Sequence, residues 1–117
     1  MKTFIRESTL NISSLMNHGF GNGYVVIPKG HKLNGLNHED IDVDVHGGLT
    51  FSERAVNLEW EETKNLKPDD WIVGFDTAHY GDSLETWPKE RVIEETEHLR
   101  NQLIALLNNE DQANQRI

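Results

Sequence analysis

The 117-residue chain contains no cysteine. Disulfides, thiolate metal sites and cysteine nucleophiles are therefore excluded, and the absence suits a reducing compartment. Long apolar runs are missing too. No window approaches the roughly 20 apolar residues of a membrane span, and Met1 to Glu7 lacks the apolar stretch of a secretory signal. The expectation is a cytoplasmic protein with no membrane partner. Positive charge is scarce: Lys and Arg number 11 against 20 Asp and Glu, for a formal net charge of −9. Such a surface repels phosphate backbones and anionic lipid, and no basic run with interleaved aromatics offsets it. Nucleic acid is excluded as the expected partner. There is no internal repeat and no low-complexity tract.

What is present is enough for one core. Three Trp, four Phe and two Tyr stand in a chain that is 36% hydrophobic, near the common size of a single domain. Residues 1–117 are read as one domain. Residues 1–17 read two ways: Leu10 and Ile12 alternate with polar residues as in a strand, whereas Leu15-Met16 after Ser13-Ser14 suits a short helix. His18-Gly19-Phe20-Gly21-Asn22-Gly23 predicts a turn or loop. Tyr24-Val25-Val26-Ile27 predicts a strand ended by Pro28, with a loop through Asn34-Gly35 to about Asp40.

Ile41-Asp42-Val43-Asp44-Val45-His46 carries the clearest alternation, with Ile41, Val43 and Val45 on one side and Asp42, Asp44 and His46 on the other. Gly47-Gly48 is a strong two-residue hairpin signal, so Leu49-Thr50-Phe51-Ser52 is expected to return as the partner strand. Residues 53–70 are polar and irregular, with room for one short strand near Leu58-Glu59-Trp60 and a turn over Lys67-Pro68-Asp69-Asp70. Trp71-Ile72-Val73-Gly74-Phe75 is apolar at consecutive positions, as in a central strand covered on both faces.

Pro88 suits the first turn of a helix. Beyond it Val92, Thr96, Leu99, Leu103 and Leu106 recur at spacings of four and three, joined by Ile93, Ile104 and Leu107. Glu90, Glu94, Glu95 and Glu97 sit toward the N-terminal half, which the helix dipole favours. Asn108 to Ile117 is polar and expected to fray. Strands near 24–27, 41–46, 49–52 and 71–75 followed by one long helix predict an α+β domain: a small antiparallel or mixed sheet with the C-terminal helix packed on one face. The connections are too short for a doubly wound fold. The apolar stripe is expected to cover the sheet, although it would also suit a homo-oligomer.

Two stretches concentrate the chemistry, Asp42 to Ser52 and Trp71 to Asp82. Each ends an apolar run in His or Asp beside glycine, which lets a ligand approach the backbone. The chain here resembles a family of small bacteriophage and bacterial proteins with no established activity. Its pattern runs Gly-Tyr-Val-x-x-Pro-x-Gly-His, Val-His-Gly-Gly-Leu-Thr, Trp-x-x-Gly-Phe-Asp-x-Ala-His-x-Gly-Asp, then a C-terminal helix. The matching stretches are Gly23 to His31, Val45 to Thr50, Trp71 to Asp82, and the helix from about Pro88. Asn22 stands where members often carry cysteine, and Lys32-Leu33-Asn34-Gly35 where they carry Pro-Leu-Tyr-Gly. The resemblance implies a common fold and a shared site.

His46, Thr50, Asp76, His79 and Asp82 are the candidate ligand-binding residues, and Trp71, Tyr80 and Ser52 add aromatic faces and a hydroxyl. This mixture suits a small polar, nucleotide-like ligand, and the phage resemblance adds an accessory role by analogy. His46, Asp76 and His79 form the expected set if the partner is a divalent metal such as zinc, manganese or iron, although no His-Glu-x-x-His spacing fixes it. A metal-assisted or two-histidine hydrolase is the rival. A third class is an inhibitor that binds a host protein through its acidic surface. A fourth is purely structural: Thr50, Asp76 and His79 as a hydrogen-bonded brace. His18, His31, His38 and His98 read as surface residues.

Overall fold

The computed structural model describes residues 1–8 and 18–115, with side chains through 106. It is an α+β fold: four antiparallel strands and one long C-terminal helix. The strands are β1 (Thr3–Glu7), β2 (Gly21–Ile27), β3 (Phe51–Arg54) and β4 (Trp71–Phe75), in spatial order β1-β2-β4-β3. The helix α1 spans Lys89–Gln115, continuing past Asn108, where fraying is expected. No helix among the described residues is long and apolar enough to cross a membrane.

The interior strands β2 and β4 are buried on both faces, as the consecutive apolar positions of residues 71–75 predict. Alternate residues of these strands feed two cores. Val25, Ile27, Val73 and Phe75 face α1, where they meet Val92, Leu99 and Leu103, with Leu106 at the margin. Thr96 is equally buried and spends its hydroxyl on the Val92 carbonyl within the helix. Ile93 and Ile104 lie on the exposed flank of the helix, not in its packed stripe. Tyr24, Val26 and Ile72 point the other way, toward Phe4, Phe51, Leu58, Trp60 and Leu66. There the rings of Phe4, Phe51 and Trp60 gather within 5.0–5.5 Å of Tyr24.

Several expectations are corrected. The glycine-rich stretch is strand, not loop, from Gly21 onward. Close packing explains it: a Cβ at Gly23 would collide with the Thr96 hydroxyl and sit 2.6 Å from the Phe75 ring. Within the ambiguous stretch 1–17 a strand forms at Thr3–Glu7, and the alternation at Leu10 and Ile12 lies outside the described residues. No strand forms near 58–60; single turns of 3-10 helix at Ala55–Asn57 and Glu61–Thr63 carry Leu58 and Trp60 over the second core.

The largest departure is at 41–46. The alternation holds as a burial pattern, with Ile41 and Val45 buried and Asp42 and Asp44 exposed. Yet the segment joins no sheet. Its main chain is held by helix side chains: the Asp44 N–H donates to Gln102 Oε1 and the Asp44 carbonyl accepts from Gln102 Nε2, each at 2.7 Å. The His46 N–H donates to Glu95 Oε2 at 3.0 Å. Alternation reports two environments on two sides of an extended chain, and α1 supplies the inner one as well as a sheet would. Gly47-Gly48 does make a turn, with Gly48 N–H donating to the Val45 carbonyl at 2.8 Å. No hairpin follows, because the returning chain pairs with β4 as strand β3, beginning at Phe51.

Candidate functional site

The segment after β4 folds back tightly on itself. Thr77, buried, anchors its base by donating from Oγ1 to the Gly21 carbonyl at 2.6 Å. Asp76 closes a first turn, its Oδ1 accepting from the Ala78 N–H at 3.0 Å. Asp82 closes a second: its N–H donates to the His79 carbonyl at 2.9 Å, and its Oδ2 accepts from the His79 N–H at 2.9 Å. The Asp82 carboxylate is thereby drawn inward until its side chain is only 5% exposed.

The extended segment on α1 delivers His46 to the same place. Its ring lies on buried Trp87, centroids 4.1 Å apart, and meets the His79 ring edge to face at 5.4 Å. Its Nε2 reaches both oxygens of Asp82, at 2.9 and 3.0 Å. A carboxylate only accepts, so that nitrogen carries the proton. His79 lies between the two aspartates, with Nδ1 at 3.3 Å from Asp82 Oδ2 and Nε2 at 3.4 Å from Asp76 Oδ1. Thr50 Oγ1 donates to the far oxygen of Asp76 at 2.9 Å.

All five candidate residues therefore adjoin one another along a polar chain in the order Thr50–Asp76–His79–Asp82–His46, joined by hydrogen bonds except between Asp76 and His79, where a carboxylate oxygen and a ring nitrogen lie 3.4 Å apart as an ion-pair contact. The set expected for a metal is rearranged. The group whose ligating atoms all lie within 4.8 Å of one another is His46, His79 and Asp82. Asp76 stands on the opposite ring nitrogen of His79. The sequence favours Asp76 because it directly follows the strand, but the tight turn swings Asp82 inward.

Burial pushes the Asp82 carboxyl up, but the hydrogen bonds from the His46 ring and the His79 amide outweigh it and hold the group below its ordinary range. It is the fixed anion of the cluster. The imidazoles remain accessible, with side chains 24% exposed at His46 and 35% at His79.

Two participants are not visible in the local pattern. Trp87 supplies the face under His46, and Glu95 takes its amide proton. Neither lies near His46 in sequence. Glu95 flanks the helix stripe with nothing to distinguish it from Glu94 or Glu97. Gly47 does permit a close approach, but the approaching group is the His79 ring. A Cβ there would lie 2.6 Å from Nε2 and 2.9 Å from Nδ1, and φ is +70°. The expected surface histidines are exposed at His31 and His98, whereas His38 is half-buried and its Nδ1 lies 3.0 Å from Ser52 Oγ.

The chain matches no protein-family model, no curated protein and no solved structure.

What remains is the chemistry of the residues. Imidazole nitrogen and carboxylate oxygen bind zinc and similar ions at about 2.0–2.2 Å, so tetrahedral donors lie roughly 3.3 Å apart. The nitrogen-to-oxygen separations here, 2.9 Å from His46 and 3.3 Å from His79, are of that order. A surface cavity of about 430 Å³ lies elsewhere, lined by Lys2, Val26, Asn65, Leu66, Lys67 and Asp70 among others, and none of the five candidate residues lines it.

Proposed function

We propose that this protein binds a divalent transition-metal ion, of the zinc type, through His46 Nε2, His79 Nδ1 and an oxygen of Asp82, and that the ion offers an open position to a small polar ligand. The observation that carries the reading is the convergence of these three donors, His46 from one stretch of chain and His79 with Asp82 from another, within 4.8 Å of one another around a buried carboxylate. Three protein ligands of this kind leave a fourth tetrahedral position for water or a ligand, the arrangement of zinc sites that do chemistry rather than structural ones. Partial exposure of both imidazoles supports access to that position from solvent.

The small polar, nucleotide-like ligand expected from the sequence is in this reading a group held on the ion, and a phage accessory role stays a matter of resemblance.

The test is thermal unfolding of the full chain with and without zinc, cobalt(II), manganese or iron(II), together with visible absorption of the cobalt form. At a hundredfold excess over Kd, binding to the native state contributes about 2.7 kcal/mol, or roughly 10 °C for a domain of this size. Asp82→Asn should lose that shift and the cobalt band. A melting temperature unmoved by every ion, or moved equally in D82N, leaves the polar chain as a structural brace.

A further inference from the structure

An imidazole that ligates a metal through one nitrogen keeps a proton on the other. Unless an acceptor holds that proton, the ring is free to present the wrong nitrogen or to turn away. At His79 the nitrogen facing away from the three-donor group is Nε2, and the oxygen opposite it is Asp76 Oδ1 at 3.4 Å. Asp76 is itself fixed from two sides, by the Thr50 hydroxyl on Oδ2 at 2.9 Å and the Ala78 amide on Oδ1 at 3.0 Å. His46 is managed differently, by the face of Trp87 and by Glu95 on its amide.

We infer that Asp76, held in place by Thr50, is a positioning residue that acts through His79: when the ion is bound it accepts a hydrogen bond from Nε2–H, fixes the ring and turns the Nδ1 lone pair toward the ion. The inference rests on the metal-binding reading above and deepens it. It also gives Thr50 a purpose. Its hydroxyl touches no donor of the group, yet it sets the carboxylate that sets the ring.

The experiment measures zinc affinity of the full-length protein and its D82N, D76N and Thr50→Val variants by competition with a chromophoric chelator. Ring-nitrogen NMR of His79 in the zinc-loaded form accompanies it. Asp76→Asn removes the charge and turns the oxygen that accepts from Thr50 into an NH2 donor, while leaving an uncharged Oδ1 for the Ala78 amide and His79 Nε2. Loss of such a partner costs typically about 10–100-fold in metal affinity, and that is the drop expected for D76N, with a smaller drop for T50V. The wild-type zinc form should show a protonated, slowly exchanging His79 Nε2 and a metal-bound Nδ1, and exchange at Nε2 should be markedly faster in D76N. A role confined to packing would not move that signal. If wild type binds zinc and D82N does not, while D76N and T50V bind as wild type, the inference falls and the metal site stands. Should D76N fail to fold, T50V alone decides, by the same affinity and NMR readings. Absence of zinc binding by wild type overturns both.

Discussion

Replacing Gly47 with alanine imposes two separable costs, and its neighbour supplies the control. Gly47 and Gly48 both sit in the left-handed region, at φ +70° and +78°. A Cβ there costs about 1–2 kcal/mol. At Gly48 nothing else is added, because no heavy atom lies within 4 Å of the new carbon. At Gly47 the carbon would lie 2.6 Å from His79 Nε2, so the ring must retreat by roughly an ångström to reach ordinary van der Waals contact. That retreat breaks the 3.3 and 3.4 Å contacts to Asp82 and Asp76. The first is a charge-assisted hydrogen bond, worth about 1.5–3 kcal/mol when buried. With the ring 35% exposed, water recovers part of the loss, and we assign about 1–2 kcal/mol in all. The expected destabilisation by urea unfolding at neutral pH is therefore about 1–2 kcal/mol for G48A and about 2–4 kcal/mol for G47A. Zinc titration separates the two further: G48A should bind as wild type, and G47A should lose most of its affinity. Equal destabilisation with equal zinc affinity would refute the placement of His79 against Gly47, and with it the shape of the site.

Acid unfolding offers a second check. Asp82 is depressed below its ordinary value of 3.8 in the folded protein, so its contribution is present above the unfolded value and is lost as pH falls through the folded one. Stability should fall on acidification below about pH 4, and D82N should flatten that limb; identical acid limbs would contradict the assignment. A third concerns the 41–46 segment. Gln102→Ala deletes both bonds to the Asp44 main chain, and at about 0.5–1.5 kcal/mol each it should destabilise by roughly 1–3 kcal/mol and speed hydrogen exchange at the Asp44 amide. Unchanged exchange there would mean that the segment is held by its apolar side chains alone.

The fold was legible where one local pattern has one physical meaning. The consecutive apolar residues of 71–75 require two covers, and two cores are found. The stripe from Val92 to Leu103 requires a sheet beneath it, and those residues pack on β2 and β4. At 41–46 the pattern fixes which side chains are buried but not what receives the backbone bonds, because Gln102 and Glu95 lie some fifty residues away. That the stretches Asp42 to Ser52 and Trp71 to Asp82 would lie side by side was suggested by apolar runs that end in His or Asp beside glycine. The order of the five candidate residues along the polar chain was not legible: it depends on a turn that brings Asp82 back beneath His79, a choice made by backbone geometry. Trp87 and Glu95 belong to the site only because α1 starts where it does.

Peptide groups that pair with other peptide groups are insulated from mutation, since every amino acid except proline supplies the same partner. Between Asp44 and His46 that insulation is missing, because the counterparts are a glutamine and a glutamate. One codon change on the helix can therefore loosen or re-aim the loop carrying His46 while the sheet stays intact. The placing of the His46 ring against Asp82 can be adjusted by heritable variation at a distance, without altering either residue.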